Sequence, residues 1–278
     1  NEFKGFIMEN DTEISFPTPV VAWTTLAILF LAYISSFVDR MIISLLVEPI
    51  KADFQISDTQ ISLLLGLSFA IFYCLAALPI GRLVDIWSRK KIVTVGITLW
   101  SFMTALCGLA QNYTQLFLAR IGVGVGEASL APAAYSMLAD SFPPKKLGLA
   151  MGVFTMGTAV GAGLALIIGG AIISFVTGEN GEDVSLFGIS FLSGWQWVFV
   201  LVGLPGLFIA LLTSLIREPD RIVIKEKKKL YGDISIPISE VKKFFKINAD
   251  FYIPHHFAVG CSNLALVGIN SWVSVYFM

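Results

Sequence analysis

Residues 81–91 read Gly81-Arg82-Leu83-Val84-Asp85-Ile86-Trp87-Ser88-Arg89-Lys90-Lys91, and they stand between two long apolar runs. A bilayer accepts such a cluster of charge only at its surface, because charges and unpaired backbone groups are expensive in hydrocarbon. The stretch is therefore a turn at the membrane edge, and the runs on either side of it are spans. Composition agrees: of 278 residues 56% are hydrophobic and 14% charged, which is incompatible with a water-exposed monomer. The fold class expected is all-α integral membrane. The formal net charge of −1 carries no information about partners, because the charges are packed into the loops. Cys74, Cys107 and Cys261 all lie in apolar runs, and their odd number and spacing suggest neither a disulfide framework nor a metal site. They read as small packing residues.

A window of about 20 residues, the length of a helix that crosses the hydrocarbon, picks out roughly seven spans. Their expected limits are near 20–47, 59–81, 91–111, 115–139, 147–176, 195–217 and 252–278. Arg82, Arg89, Lys90 and Lys91 follow the second span, Lys145 and Lys146 the fourth, and Arg217, Arg221, Lys225 and Lys227 to Lys229 the sixth. The alternate loops hold Lys51, the uncharged Gln111-Asn112-Tyr113, and the acidic Glu179, Glu182 and Asp183. The positive-inside rule then puts the N-terminus and the 81–91 turn in the cytosol. The domain reading is a cytosolic tail over 1–19, a six-helix bundle over 20–217, a basic cytosolic linker over 218–250 and a seventh helix over 251–278. Within the linker, Ile238 to Ile247 sets apolar residues at helical spacing beside lysines. That pattern fits a short helix on the anionic inner leaflet or an ordinary surface helix. The chain stops at Met278 straight after Trp272-Val273-Ser274-Val275-Tyr276-Phe277, an ending expected of an incomplete chain.

Charged residues inside the spans are the candidate site. Asp39 and Arg40 lie well inside the first span, where one charge near the bilayer centre costs on the order of 3 kcal/mol. Either protein and water surround them or they snorkel to the outer interface. Arg120 and Glu127 are seven residues apart in the fourth span, so both project from one helix face about 10 Å apart, with Glu127 near the midplane. A carboxyl held between burial and a neighbouring arginine can exchange a proton. The competing reading is a permanent ion pair of Glu127 with Arg120 or Arg40. Gly122, Gly124 and Gly126 do not make a dinucleotide fingerprint, since no strand precedes them and Glu127 stands where the third glycine belongs. Close helix packing, or room for a ligand against the backbone, explains them better, and Gly148/Gly152 and Gly157/Gly161 in the fifth span read as close-packing pairs. Asp140 ends the fourth span at the membrane level of Arg89, which allows a salt bridge or ordinary interfacial charge. Asn112-Tyr113-Thr114 has the form of a glycosylation acceptor in a loop too short to use it, and His255 and His256 read as interfacial residues.

The spacing of Gly81, Leu83, Asp85, Arg89 and Lys90 resembles the loop between the second and third helices of the major facilitator superfamily. Ile86 and Ser88 stand where that family usually has Arg and Gly. Phe37-Val38-Asp39-Arg40, Gly122 to Ser129, and Ala131-Pro132-Ala133 followed by Ala139-Asp140-Ser141-Phe142-Pro143 resemble the spinster branch, especially its bacterial members. That resemblance covers roughly Ala32 to Gly152. It implies the first six-helix bundle, linker and seventh helix of a twelve-helix fold. It also implies a rocker-switch, proton-coupled carrier of lysophospholipids or sphingolipid-type lipids. Asp39 and Glu127 would be the proton sites, Arg40 and Arg120 the partners of those carboxylates or of an anionic head group, and Gly81, Asp85, Arg89 and Asp140 the cytosolic gate. Ala162 replaces the proline expected in the fifth helix of exchangers, so antiport is unsupported by that motif. The spans are poor in Asn and Gln, which favours an amphipathic substrate over a sugar.

Two alternatives stay open: a drug or organic-anion carrier on the same fold, and an uncoupled lipid facilitator or scramblase. An enzyme is disfavoured, because the chain shows no metal-ligand cluster, no nucleophile with a base and no phosphate loop. The expectation is a monomeric multi-pass protein of the inner or plasma membrane. It needs no cofactor beyond protons and has a lipid or amphipathic substrate and no nucleic-acid partner.

Overall fold

The computed structural model describes residues 16–176, 192–221 and 238–276. The acidic residues 179, 182 and 183, the lysines at 225 and 227–229 and most of the N-terminal tail lie outside the described residues. The chain divides into two compact units, Asn1–Arg221 and Ile222–Met278.

In the first unit six helical stretches are long and apolar enough to cross a membrane: Pro19–Phe54, Asp58–Ile86, Arg89–Cys107, Tyr113–Ser141, Pro144–Val176 and Gly194–Leu215. They are called the first to sixth spans below. Local chemistry sets their limits. Pro19 opens the first span, where a missing N–H costs nothing, and the helix continues past the expected end through a 3₁₀ turn at Ile43–Leu46 to Phe54. Gln55 then takes a left-handed conformation, φ 50°, and stops it. Lys51, expected in a loop, sits in this last helical turn and pairs with Asp58 at 2.6 Å across the connection. Ser57 and Gln60 form a capping box at the start of the second span, and Ser88 and Asn112 cap the third and fourth.

The fourth span is broken rather than continuous. It runs Tyr113–Glu127 and resumes at Leu130–Ser141. Pro132 accounts for the break, because it has no N–H for the Ala128 carbonyl and its ring crowds that carbonyl. Glu127 therefore ends a helix segment in mid-span.

The first span packs on the fifth and sixth, the fourth on the second and third, and the third on the sixth. Exchanging first with fourth, second with fifth and third with sixth reproduces this same set of neighbours. The bundle thus packs as two three-helix repeats. The third span is its axis, with Trp100 fully buried. A Cβ at Gly126 would lie 2.7 Å from the Trp100 nitrogen, and one at Gly203 2.7 Å from the Ala105 nitrogen. The fourth and sixth spans therefore cross the third at backbone contact. Gly122 and Gly124 are close-packed too, against Met103 and Phe69, so packing rather than ligand room explains that glycine series. Gly157 and Gly161 press on Phe30, Ile34 and Phe37 of the first span, whereas no described atom lies within 4 Å of a Cβ at Gly148 or Gly152. Leu78, Ile167 and Leu215 are exposed on the outside, as lipid-facing residues are.

In the second unit a short helix, Ile238–Ile247, leads into a long one, Ala249–Tyr276. The latter stands where the seventh span was expected; it is not among the six stretches above.

Candidate substrate and coupling site

The first span delivers Ser36, Asp39 and Arg40, the fourth delivers Arg120 and Glu127, and the second adds Phe69 and Tyr73. Arg40 Nη2 donates to Glu127 Oε2 in an ion pair. Ser36 Oγ donates to the same oxygen at 2.8 Å. Glu127 Oε1 has no hydrogen-bond partner among the described residues. The Glu127 side chain is wholly inaccessible, whereas Arg40 keeps 27% of its side-chain surface. Three rings surround the Arg40 guanidinium, with Phe69 at 4.6 Å, Phe37 at 4.8 Å and Tyr73 at 5.6 Å from its carbon. Aromatic faces stabilise a cation without neutralising it.

Arg120 lies on the other side of this group and is fully buried. Its Nη1 donates to the main-chain oxygen of Asp39 at 3.3 Å, and its carbon sits 5.7 Å from the Phe69 ring. Phe69 is thus in contact range of both arginines. The Asp39 carboxyl is also fully buried, and neither of its oxygens has a hydrogen-bond partner among the described residues; the same holds for Arg120 Nε and Nη2. Snorkelling is thereby excluded for Asp39. Glu127 does form an ion pair, and it forms with Arg40 rather than Arg120. With two carboxylates and two guanidiniums the cluster is neutral when both carboxyls are ionised, and one added proton leaves it with a net positive charge.

The basic end of the bundle carries a second network. Arg89 is completely buried and uses every guanidinium nitrogen. Nη1 donates to Ser136 through both its carbonyl, 3.1 Å, and its hydroxyl, 3.0 Å, and pairs with Asp140. Nε reaches Glu218 Oε1 at 3.3 Å, and Nη2 the Pro219 carbonyl at 2.6 Å. The Arg89 main-chain N–H donates to Glu218 Oε1 at 2.8 Å, and the Ser88 hydroxyl donates to Oε2. Burial pushes the Glu218 carboxyl up, but these donors and the Arg89 charge outweigh it and hold the group below the usual carboxylate range. Arg221 donates to the carbonyls of Val84, Asp85 and Trp87, and so caps the end of the second span with a cation.

Four gate residues were expected here. Arg89 and Asp140 meet. Asp85 does not join them: its side chain is exposed and makes no ion pair with a described residue, and only its main chain is held, by Arg221. Gly81 has open space where a Cβ would stand. By sequence Glu218 and Arg221 fall in the linker, because the composition turns polar at Glu218. The usable signal was the run Arg217-Glu218-Pro219-Asp220-Arg221, whose opposite charges directly follow an apolar span at the level of the 81–91 turn. Ser36, Phe69 and Tyr73 were also missed, being ordinary residues in apolar runs. His255 and His256 are exposed, and among the described residues no group of acidic, His and Cys side chains is arranged to hold a metal.

A family model, Major Facilitator Superfamily, matches residues 29–278. A crystal structure of a bacterial homologue of the human lysosomal transporter Spinster, inward-facing and unoccupied, superposes with a TM-score of 0.68 at 37% identity, over 74% of this chain and 45% of that one. An MFS-type efflux pump of Mycolicibacterium smegmatis is 31% identical over 71% of this chain and 42% of its own. Protein spinster homolog 1 of Xenopus tropicalis is 31% identical over 92% of this chain and 45% of its own. The chain thus spans under half the length of each of these relatives.

Proposed function

The chain belongs to the Major Facilitator Superfamily, a family of transporters rather than enzymes, and on that footing we propose that it is half of a proton-coupled, rocker-switch carrier of lysophospholipids or sphingolipid-type lipids. The observation that carries this reading is the state of Glu127. It holds the one accessible arginine of the cluster through a single oxygen and leaves the other oxygen unpartnered. A proton taken by Glu127 removes the charge that competes for Arg40, and the guanidinium then turns to an anionic head group, for which its fork geometry suits phosphate or carboxylate. Asp39 is the second proton site and Arg120 its charge partner. The rings of Phe37, Phe69 and Tyr73 offer an apolar wall to the first carbons of a lipid tail.

In the same proposal the N-terminus and the basic end face the cytosol, and Gly81, Asp85, Arg89 and Asp140 form the gate there. Arg89 fastens the turn to the fourth span and to the segment after the sixth, so that the exposed Asp85 carboxylate is presented to the opposite bundle and released on inward opening. The lipid substrate rests on what the resemblance of residues 32–152 to the spinster branch implies, and spinster proteins are among the relatives of this chain. The efflux-pump relative supports a second reading, export of amphipathic drugs or organic anions through the same cluster.

Uptake of a labelled lysophospholipid into proteoliposomes of the intact carrier, with and without an imposed pH gradient, tests this. Saturable, gradient-driven uptake that Asp39→Asn and Glu127→Gln each lose is the expected result. Uptake that ignores both the gradient and the variants would discard the coupling and favour an uncoupled facilitator. Competition by drugs but not by lysolipid would favour the second reading.

A further inference from the structure

The short helix Ile238–Ile247 and the start of the helix after it form a surface whose chemistry has no place in the transport site. Val241, Phe244 and Phe245 fall within an arc of about 100° around the helix axis, and Lys242, Lys243 and Lys246 within a similar arc on the opposite side. Ile247 lies off the apolar stripe. All seven side chains are exposed, with half of the surface of Phe244 and Phe245 open at 51% and 53%. The aromatic surface continues beyond the helix. Tyr252 packs on Phe244 and Phe245 at 5.8 and 5.6 Å, and Phe251 stacks on His255. Phe251, Ile253 and Phe257 carry the apolar surface further, at 66, 68 and 73% exposure.

We propose that Ile238–Ile247 is an interfacial helix that seats Val241, Phe244 and Phe245 in the acyl boundary of an anionic leaflet while Lys242, Lys243 and Lys246 hold its head groups. Three features of the segment choose that occupant over a protein partner. The charge facing away from the stripe is cationic except for Glu240, which complements anionic lipid. The helix enters, one residue later, the helix that stands at the position of the seventh span. Tyr252 and the two histidines, whose rings are apolar with a polar edge, occupy the junction, the composition of a membrane–water boundary. Near an anionic surface each lysine is worth roughly a fivefold preference, so the three together favour the seated state by on the order of a hundredfold. The consequence is a fixed height for the connection in the bilayer, set by lipid charge and independent of what the carrier moves.

Nitroxide accessibility in the intact carrier tests the proposal. A label is placed at Phe244→Cys or at Lys243→Cys with Cys74 and Cys261 changed to Ala, and the protein is reconstituted into phosphatidylcholine vesicles or into vesicles with three parts in ten of phosphatidylglycerol. In the anionic vesicles the label at 244 should collide with oxygen and be shielded from a water-soluble nickel chelate, while the label at 243 shows the reverse. The preference at 244 should fall at least fivefold in pure phosphatidylcholine, in 1 M salt, or when Lys242→Gln and Lys246→Gln are added. A label at 244 shielded from both reagents would mean a protein partner and overturn the proposal, as would a lipid signal equal in neutral and anionic vesicles. The label at 243 reports whether the added substitutions leave the helix in place.

Discussion

Two arginines, both fully buried, are treated in opposite ways in this bundle. Arg89 at the basic end donates through all of its guanidinium nitrogens, to two carboxylates, two carbonyls and a hydroxyl. Arg120, inside the fourth span, makes one long bond to a carbonyl and leaves two nitrogens without a hydrogen-bond partner among the described residues, beside an Asp39 carboxyl that likewise accepts no hydrogen bond from them. A saturated ion network is held by many bonds and has nothing to exchange, whereas an unsatisfied one is unstable toward any proton, water or ligand that completes it. The contrast sets a saturated joint apart from a cluster with bonding capacity to spare, without reference to any relative.

The comparison breaks most sharply if Arg89→Ala is tolerated. Removing it leaves Asp140 and Glu218 facing each other without their cation, and a loss of about 3–5 kcal/mol is expected, read as a collapse of detergent-solubilised monomer on size exclusion and heating. Glu218→Gln should cost less, about 1.5–3 kcal/mol, since the amide keeps the shape but weakens charge-assisted bonds. Its pH dependence sharpens the point. Glu218 binds protons more weakly in the folded carrier than in the unfolded chain, so its contribution is complete above the ordinary value of about 4.3 and is lost as pH falls through the lower folded value. The gap in melting temperature between wild type and Glu218→Gln should therefore be constant from pH 5 to 8 and close below about pH 4. Asp39→Asn at the other site should change stability by about 1 kcal/mol or less, and in either direction, because relief of a buried carboxyl that accepts no hydrogen bond from the described residues offsets the lost attraction to Arg120, while it removes pH-driven uptake. Asp85→Asn is expected to shift the melting temperature least, within about 0.5 kcal/mol, since Arg221 holds its main chain and not its carboxylate. A large loss of stability with Asp39→Asn would erase the distinction between the two regions.

Much of this is legible in the sequence itself. The spans follow from apolar runs long enough to cross a bilayer, and Asp39, Arg40, Arg120 and Glu127 stand out because charge inside such runs has so few explanations. What escaped was whatever depends on partners distant in the chain. Glu218 looked like linker because composition changes there, yet it reaches back 129 residues to Arg89. Ser36 and Phe69 carry no mark in an apolar stretch until the fourth span brings Glu127 and Arg120 against them. Gly148 and Gly152 share the spacing of Gly157 and Gly161 but meet no described atom within 4 Å of a Cβ, and spacing alone has no face. The break at Ala128 was written in Pro132, and the long apolar run around it concealed the consequence.

The pairing of the two repeats has a temporal side. Arg40 belongs to the first three helices and Glu127 to the second three, 87 residues further along the chain. At ribosomal speed that distance is on the order of ten seconds. For that interval Asp39 and Arg40 are already threaded into the membrane while the residues that receive them are still being made. Insertion of this bundle therefore needs a wet or proteinaceous waiting place for its first helix, and assembly is finished by the fourth helix arriving rather than by the third closing.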